Sequence, residues 1–336
     1  MHLSSPTFEF FVPSVYDGTQ LDCRIYLPRE FQRLESASSW QKRGAIVAHP
    51  YASLGGCYDD PVVGFVGGEL LKAGYVVLTF NFRGAGESEG RTSWTAKPEL
   101  ADYVSIYGFI LRFLHGLRVK SLSTQADDLT ANSENSTADV RIILGGYSYG
   151  SLIASHLPKI DVIMELFRKP SDGTVVQEIC KVAENIAASS IEKLRTRVEM
   201  PTLGKSSFTD DGMNSTKITK PAISYLLISP LLPPVSFFLT VFSKLSLDVG
   251  VGESSKQIPC PKPADQLCAN RSLAIYGNQD TFTSASKLHK WSGELCSDPR
   301  SNLQCREIDG AGHFWREKGV EAQARDTLRN WLRQMP

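Results

Sequence analysis

The sequence predicts an α/β protein with a mostly parallel central sheet, helices on both of its faces and an inserted helical cap, and three observations point there. Short apolar runs at 44–49, 75–80, 140–146, 224–229 and 273–277 have the near-continuous hydrophobicity of strands buried on both sides. Stretches with apolar residues at helical spacing lie between or after them, at 61–73, 98–114 and 317–333. Glycine and proline punctuate the joins, as at Pro50, Gly74 and Pro230.

Taken in order, residues 8–15 and 20–27 alternate like strands around Asp17-Gly18, which predicts a hairpin at the sheet edge. The run 44–49 stops at Pro50, the helix 61–73 at Gly74, and the strand 75–80 leads into the glycine-rich turn Asn81–Ser88. Pro98 suits the first turn of the helix 98–114. A polar tract at 121–138 has too little apolar content to pack and is expected as an exposed loop. The strand rhythm disappears from 159 to 220, where a helical pattern at 175–197 is followed by a Gly/Ser/Thr/Asp-rich loop at 203–216. This stretch is expected as a cap or lid between the two halves of a core domain, 1–158 and 221–336. The remaining expectations are a Gly/Ser/Pro loop at 248–265, a short strand at 304–308 and the closing amphipathic helix.

Composition narrows the function. The 336 residues carry 36 basic and 36 acidic side chains, with no dense Lys/Arg block, which argues against a nucleic-acid partner and for a neutral or weakly charged small-molecule substrate. Residues 1–6 lack a basic segment followed by an apolar core, and seven cysteines suit reduced thiols, so a cytoplasmic location is expected. Cys260 and Cys268 flank a Pro/Lys-rich loop and are the one pair considered for a disulfide. The three Asn-X-Ser/Thr matches, at Asn135, Asn214 and Asn270, are expected to be chance. The uncharged stretch 222–243 is long enough to raise the membrane question. Pro230, Pro233 and Pro234 in its middle would break a spanning helix, so no stable membrane insertion is expected. No His/Cys/Asp cluster has metal spacing, Cys296 and Cys305 bracket a loop without a zinc-site histidine, and Asn81–Gly90 lacks a P-loop lysine. No metal or cofactor is expected, and the oligomeric state stays open, a homodimer included.

Gly146-Tyr147-Ser148-Tyr149-Gly150 is a G-x-S-x-G between an apolar strand and a helix start. A serine hydroxyl is a weak nucleophile until a base takes its proton, and a sharp strand-to-helix turn pushes its Oγ out towards such a base. Asp280 lies just past the strand 273–277, and His313 lies after the strand 304–308 in a glycine loop, Asp309–Gly312, expected to be flexible. A carboxylate holding imidazole Nδ1–H leaves Nε2 free to accept the serine proton. Asp248 is a less favoured alternative acid; His115, His156 and His289 are expected to be solvated or capping. An oxyanion would be met by the N–H of Tyr149 and, from the loop after the first buried strand, that of Tyr51, with Ala52 as fallback because Pro50 has no N–H. His49, Ala52, Tyr58, Leu231 and Phe314 are weaker candidates for the substrate pocket, His49 with the competing reading that it organises the loop. Arg83 is read as structural, bonding carbonyls of neighbouring loops.

Together His49-Pro50, Gly55-Gly56, Asn81–Gly90, Gly146–Gly150, Gly277–Asp280 and Gly312–Phe314 resemble the α/β-hydrolase superfamily, nearest to its esterase-like and dienelactone-hydrolase-like members. The resemblance covers 40–155 and 220–333 in order, while 159–220 is not assigned to a particular cap of the family and the 119–138 loop is unusually long for it. It implies acyl transfer to Ser148, an oxyanion held by backbone N–H groups, and hydrolysis of the acyl-enzyme. The leading expectation is therefore hydrolysis of a carboxylic ester, lactone or thioester of a small, moderately apolar substrate, in small-molecule or secondary metabolism. The alternative keeps the fold and drops hydrolysis: cyclisation, isomerisation or C–C cleavage with His313 as base. A ligand receptor would ordinarily lack one of the three site residues, and none is missing.

Overall fold

Eight strands form one sheet in the order β1-β2-β4-β3-β5-β6-β9-β10 in a computed structural model that describes residues 2–32, 40–117, 140–197, 219–240, 245–251 and 254–335. These strands are β1 (Phe8–Pro13), β2 (Gln20–Tyr26), β3 (Lys42–Ala48), β4 (Val76–Phe80), β5 (Val140–Tyr147), β6 (Ala222–Ile228), β9 (Arg271–Gln279) and β10 (Leu303–Gly312). From β4 through β10 every pairing is parallel; β1 and β2 form the expected antiparallel edge hairpin, and β2 joins β4 antiparallel. A parallel sheet must be covered on both faces, because each crossover lays a helix on one of them.

Two apolar clusters do this. On one face α1 (Pro61–Lys72) and α9 (Val320–Arg333) bury Phe65, Val66, Leu70, Leu328 and Trp331 against the sheet. The other face holds α2 (Lys97–Gly116), α3 (Tyr149–Ser155), α4 (Ile160–Arg168) and α5 (Val175–Arg197), with α7 (Pro263–Ala269) and α8 (Ala285–Cys296) beside β9 and β10. A short α6 (Val235–Leu239) follows β6. Pro61 opens α1 with Asp60 accepting from Val62 N, a capped start that proline's missing N–H does not weaken.

The stretch expected as a cap contributes α4 and α5. Both pack on α2, and α5 also reaches β1. The fit is close: a Cβ on Gly108 of α2 would lie 2.0 Å from the Phe167 ring of α4, which is fully buried. The loops expected at 121–138 and 203–216 lie outside the described residues.

Two expectations are corrected. Much of the Gly/Ser/Pro loop expected at 248–265 is an antiparallel pair, β7 (Ser246–Val251) with β8 (Ser254–Pro259), separate from the main sheet. Leu247 and Val249 alternate inward and are buried, and β7 packs on α2, so the period of two outweighed the turn-like composition. The glycine loop expected before His313 is instead the end of β10, which continues through a bulge to pair Gly312 with Gln279. Ala311 O passes 1.9 Å from where a Gly277 Cβ would stand, so this approach requires glycine on β9. No helix among the described residues is long and apolar enough to cross a membrane.

Candidate active site

Ser148 sits alone between β5 and α3 with φ 55° and ψ −113°, a conformation a side-chain-bearing residue holds only when its surroundings enforce it. Three features do so here. Ser148 N donates to Ile228 O at 2.8 Å. A Cβ on Gly146 would meet the Gly150 carbonyl carbon at 2.2 Å, and one on Gly150 would meet Ala48 O at 2.5 Å and His49 O at 2.7 Å. The two glycines therefore let the turn close on itself and press the start of α3 against the loop leaving β3.

The strained turn aims Ser148 Oγ at His313 Nε2, 2.9 Å away, and His313 Nδ1 lies 2.7 Å from Asp280 Oδ2. The structure thus brings together three side chains carried by the ends of β5, β9 and β10, all of them buried. Asp280 Oδ1 also accepts from the amides of Phe282 and Thr283 at 2.8 and 3.0 Å. Burial alone would push this carboxyl up, but the hydrogen bond and charge of His313, with the two amides, hold it below its usual range. An ionised Asp280 fixes the proton on Nδ1 and leaves Nε2 as acceptor towards the serine.

Contacts that the sequence did not reveal hold the imidazole in place. Tyr147, the residue before the serine, donates its hydroxyl to His313 O at 2.7 Å. Phe282 lies against the imidazole with ring centroids 4.3 Å apart. Glu317 accepts from Gly312 N, and Trp315, itself at φ 54°, donates Nε1–H to Ser229 Oγ at 3.0 Å. These partners depend on how the loops after β5, β6, β9 and β10 meet, so no local sequence signal could have found them.

The expected oxyanion donors lie on the two segments that the close packing of Gly150 presses together, and their rings meet edge to face, 5.1 Å between centroids. Neither Tyr51 N nor Tyr149 N has an acceptor among the described residues. Ala52 follows in a short 3-10 turn, and Leu231 is buried next to Pro230 and Leu232, both of which bond Thr283 of the aspartate loop. Phe314 is 52% exposed beside Phe282 and His313.

Two pocket candidates are committed elsewhere. His49 is fully buried, with Nε2 accepting from Phe82 N at 2.9 Å and Nδ1 at 2.5 Å from Pro50 O, so it organises the loop as its competing reading held. Burial pushes its pKa down to about 4, keeping the ring neutral. Tyr58 gives its hydroxyl to Asp22 at 2.6 Å, under the Arg24 guanidinium. Arg83 is structural, but its side-chain partners are Asp102, Asp17 and Ser14 rather than loop carbonyls. Asp248, on β7, pairs with Lys97 of α2, and His156 lies at the end of α3 bonding Leu152 O. His115 likewise bonds Leu111 O inside α2, and exposed His289 pairs with Glu307. Among the described residues no group of three or more His, Cys, Asp or Glu could hold a metal ion.

The sheet order, the strained serine turn and the strand-end positions of the three side chains are those of the α/β-hydrolase fold. Residues 17–157 match the family model described as X-Pro dipeptidyl-peptidase (S15 family). Among solved structures, the chain is similar to an α/β serine hydrolase homologue from Coxiella burnetii, at 16% identity, TM-score 0.52 and 98% coverage of both chains. It is also similar to XC6422 from Xanthomonas campestris, a serine hydrolase described as lacking a lid, at 16% identity, TM-score 0.51 and coverage of 99% and 97%. A third is Est1E from Butyrivibrio proteoclasticus with bound ferulic acid, at 11% identity, TM-score 0.50 and coverage of 97% and 98%. No curated protein sequence matches the chain.

Proposed function

We propose that the protein is a serine hydrolase that cleaves a carboxylic ester, lactone or thioester of a small, moderately apolar substrate through an acyl-enzyme on Ser148. The observation that carries this reading is the continuous hydrogen-bonded chain from Ser148 Oγ through His313 to Asp280. His313 Nε2 takes the hydroxyl proton as Oγ attacks the carbonyl carbon, and the imidazolium then protonates the leaving group. Asp280 stays ionised throughout and holds the tautomer. Tyr51 N–H and Tyr149 N–H, both without an acceptor among the described residues, receive the oxyanion. Water activated by the same imidazole releases the acid.

Replacing Ser148 with alanine is expected to lower p-nitrophenyl ester turnover at least 10³-fold, on the order of the loss when a nucleophile is removed. A fluorophosphonate should label the wild type and not the variant. A broad ester, lactone and thioester screen read by mass spectrometry then defines the substrate. Turnover of the screened substrate that survives S148A would reject the acyl-enzyme and favour non-hydrolytic chemistry with His313 as base. The family match favours one further substrate class, amides following proline. X-Pro p-nitroanilides belong in the same screen, and their turnover above that of the esters would replace the ester reading.

A further inference from the structure

All seven cysteines are free thiols, so the considered pair of Cys260 and Cys268 is not formed. Instead Cys268 is one of three thiols that converge far from the serine. Cys268 lies near the end of α7, Cys296 ends α8, and Cys305 is the third residue of β10. Cys268 Sγ donates to Leu295 O at 3.6 Å, and Cys296 Sγ donates to Leu303 O at 3.4 Å. Cys305 emerges from the same face of β10 as Leu303, two residues on, which puts its side chain on the side where the Cys296 thiol bonds Leu303 O. Asn302 N, bonded to Cys268 O at 2.9 Å, ties the turn between Cys296 and Cys305 to α7.

Access differs among the three. Cys296 is exposed, whereas Cys268 and Cys305 are partly covered. A cleft of about 390 Å³, lined by Asp265, Cys268, Glu294, Asp298 and Arg300 among others, opens beside them. Nothing in the hydrolytic reading uses these groups. Cys305 stands seven residues before Gly312, roughly 23 Å along an extended strand from the turn that carries His313.

We propose that Cys296 and Cys305 are an oxidation site that closes to an intramolecular disulfide on reaction with a low-molecular-weight disulfide, Cys296 reacting first. The Cys296 thiolate attacks one sulfur of the reagent, forming a mixed disulfide and releasing one thiolate. Cys305 then loses its proton, attacks the Cys296 sulfur and expels the second reagent thiolate. Two protein thiols give up two electrons and two protons, and one reagent disulfide becomes two thiols. The order follows from the surroundings. Burial first, and then the neighbouring Cys296 and Cys268, push the Cys305 thiol well up, so it stays protonated at neutral pH and suits the resolving role. The new bond would join the end of α8 to the start of β10. Because α8 begins just after Asp280 and β10 ends just before His313, it pins the distal ends of both elements and leaves their catalytic ends untouched.

The full-length protein is treated with oxidised glutathione, alkylated and mapped by peptide mass spectrometry. The expected product has lost two hydrogens and contains the Cys296–Cys305 cross-link, with Tm raised by about 2–4 °C and fluorophosphonate labelling of Ser148 unchanged. C305S is expected to stop at a glutathione adduct on Cys296, and C268S to form the same cross-link as the wild type. A stable adduct on Cys296 of the wild type, or a cross-link joining either residue to Cys268, would overturn the proposal. Its readout is the cross-link itself, so an unreactive Ser148 would count against the hydrolase reading and leave this one standing.

Discussion

At the scale of single residues, the proposed deprotonation of Ser148 depends on where His313 is held, so the clamp on that ring is open to measurement. Tyr147 reaches from the residue before Ser148 to the carbonyl of His313, so one strand end sets both partners. Removing that hydroxyl in Y147F leaves the ring packing intact and lets the imidazole drift. The expected outcome is about a tenfold loss of kcat at unchanged KM, since small misplacements of a catalytic group lower the reaction rate without touching substrate binding. An equal rise in KM would place Tyr147 in the substrate pocket instead. His49 gives a second prediction at this scale. Its pKa is depressed from 6.5 to about 4, so the unfolded chain binds the proton more readily between those values. Its stabilising contribution is full above pH 6.5 and is lost as pH falls to 4, on the order of 3 kcal/mol for a fully buried group. Urea unfolding across that window should show a slope that H49Q flattens; an unchanged slope would mean that the ring is not held neutral.

Among elements, the joint between α1 and α9 rests on one carboxylate. Glu69 receives Arg325 Nη1 and Arg329 Nε, both at 2.7 Å, and Lys72 at 3.0 Å, while its own side chain is 1% exposed. Burial would raise its pKa, but the hydrogen bonds of Arg329, Lys72 and Arg325 outweigh it and hold the value at about 2. The folded value is depressed, so this contribution is present above pH 4.5 and disappears as pH falls towards 2. E69Q is expected to destabilise the protein by about 3 kcal/mol at pH 7, because it removes the buried negative charge that Arg325 and Arg329 share at this joint. The gap between variant and wild type should narrow at pH 3, a window below that of His49; a constant gap would assign the loss to packing. This joint was not legible in the sequence. The amphipathic pattern of 317–333 marks α9 and its buried face, but Arg325 reads there as a solvated charge until α1 is laid against it.

Across the whole molecule, α4 and α5 are coupled to the core through α2 rather than through the serine turn. Gly108 leaves the space that the Phe167 ring fills, so G108A forces ring or helix to move. Overpacking of this kind costs about 1–3 kcal/mol. The expected result is a Tm lowered by several degrees with fluorophosphonate labelling of Ser148 unchanged well below the transition. A variant that folds normally yet labels slowly would show that α4 communicates with the site.

By itself the sequence determined the strand and helix rhythm, the edge hairpin, the parallel core and the three polar residues at strand ends. Each of these is a local matter: a run of apolar residues, a helical period, or a glycine-flanked serine carries its own physical meaning. Only the tertiary structure decided what those residues touch. It turned Ser246–Val251 into a strand because α2 offers an apolar face, and it extended β10 to Gly312 because Gly277 lets a neighbouring carbonyl come close. It also committed His49 to Phe82 and Tyr147 to His313, and gathered three thiols from three elements. Such pairings join groups tens to hundreds of residues apart, and their existence depends on distances that appear only once the sheet is wound.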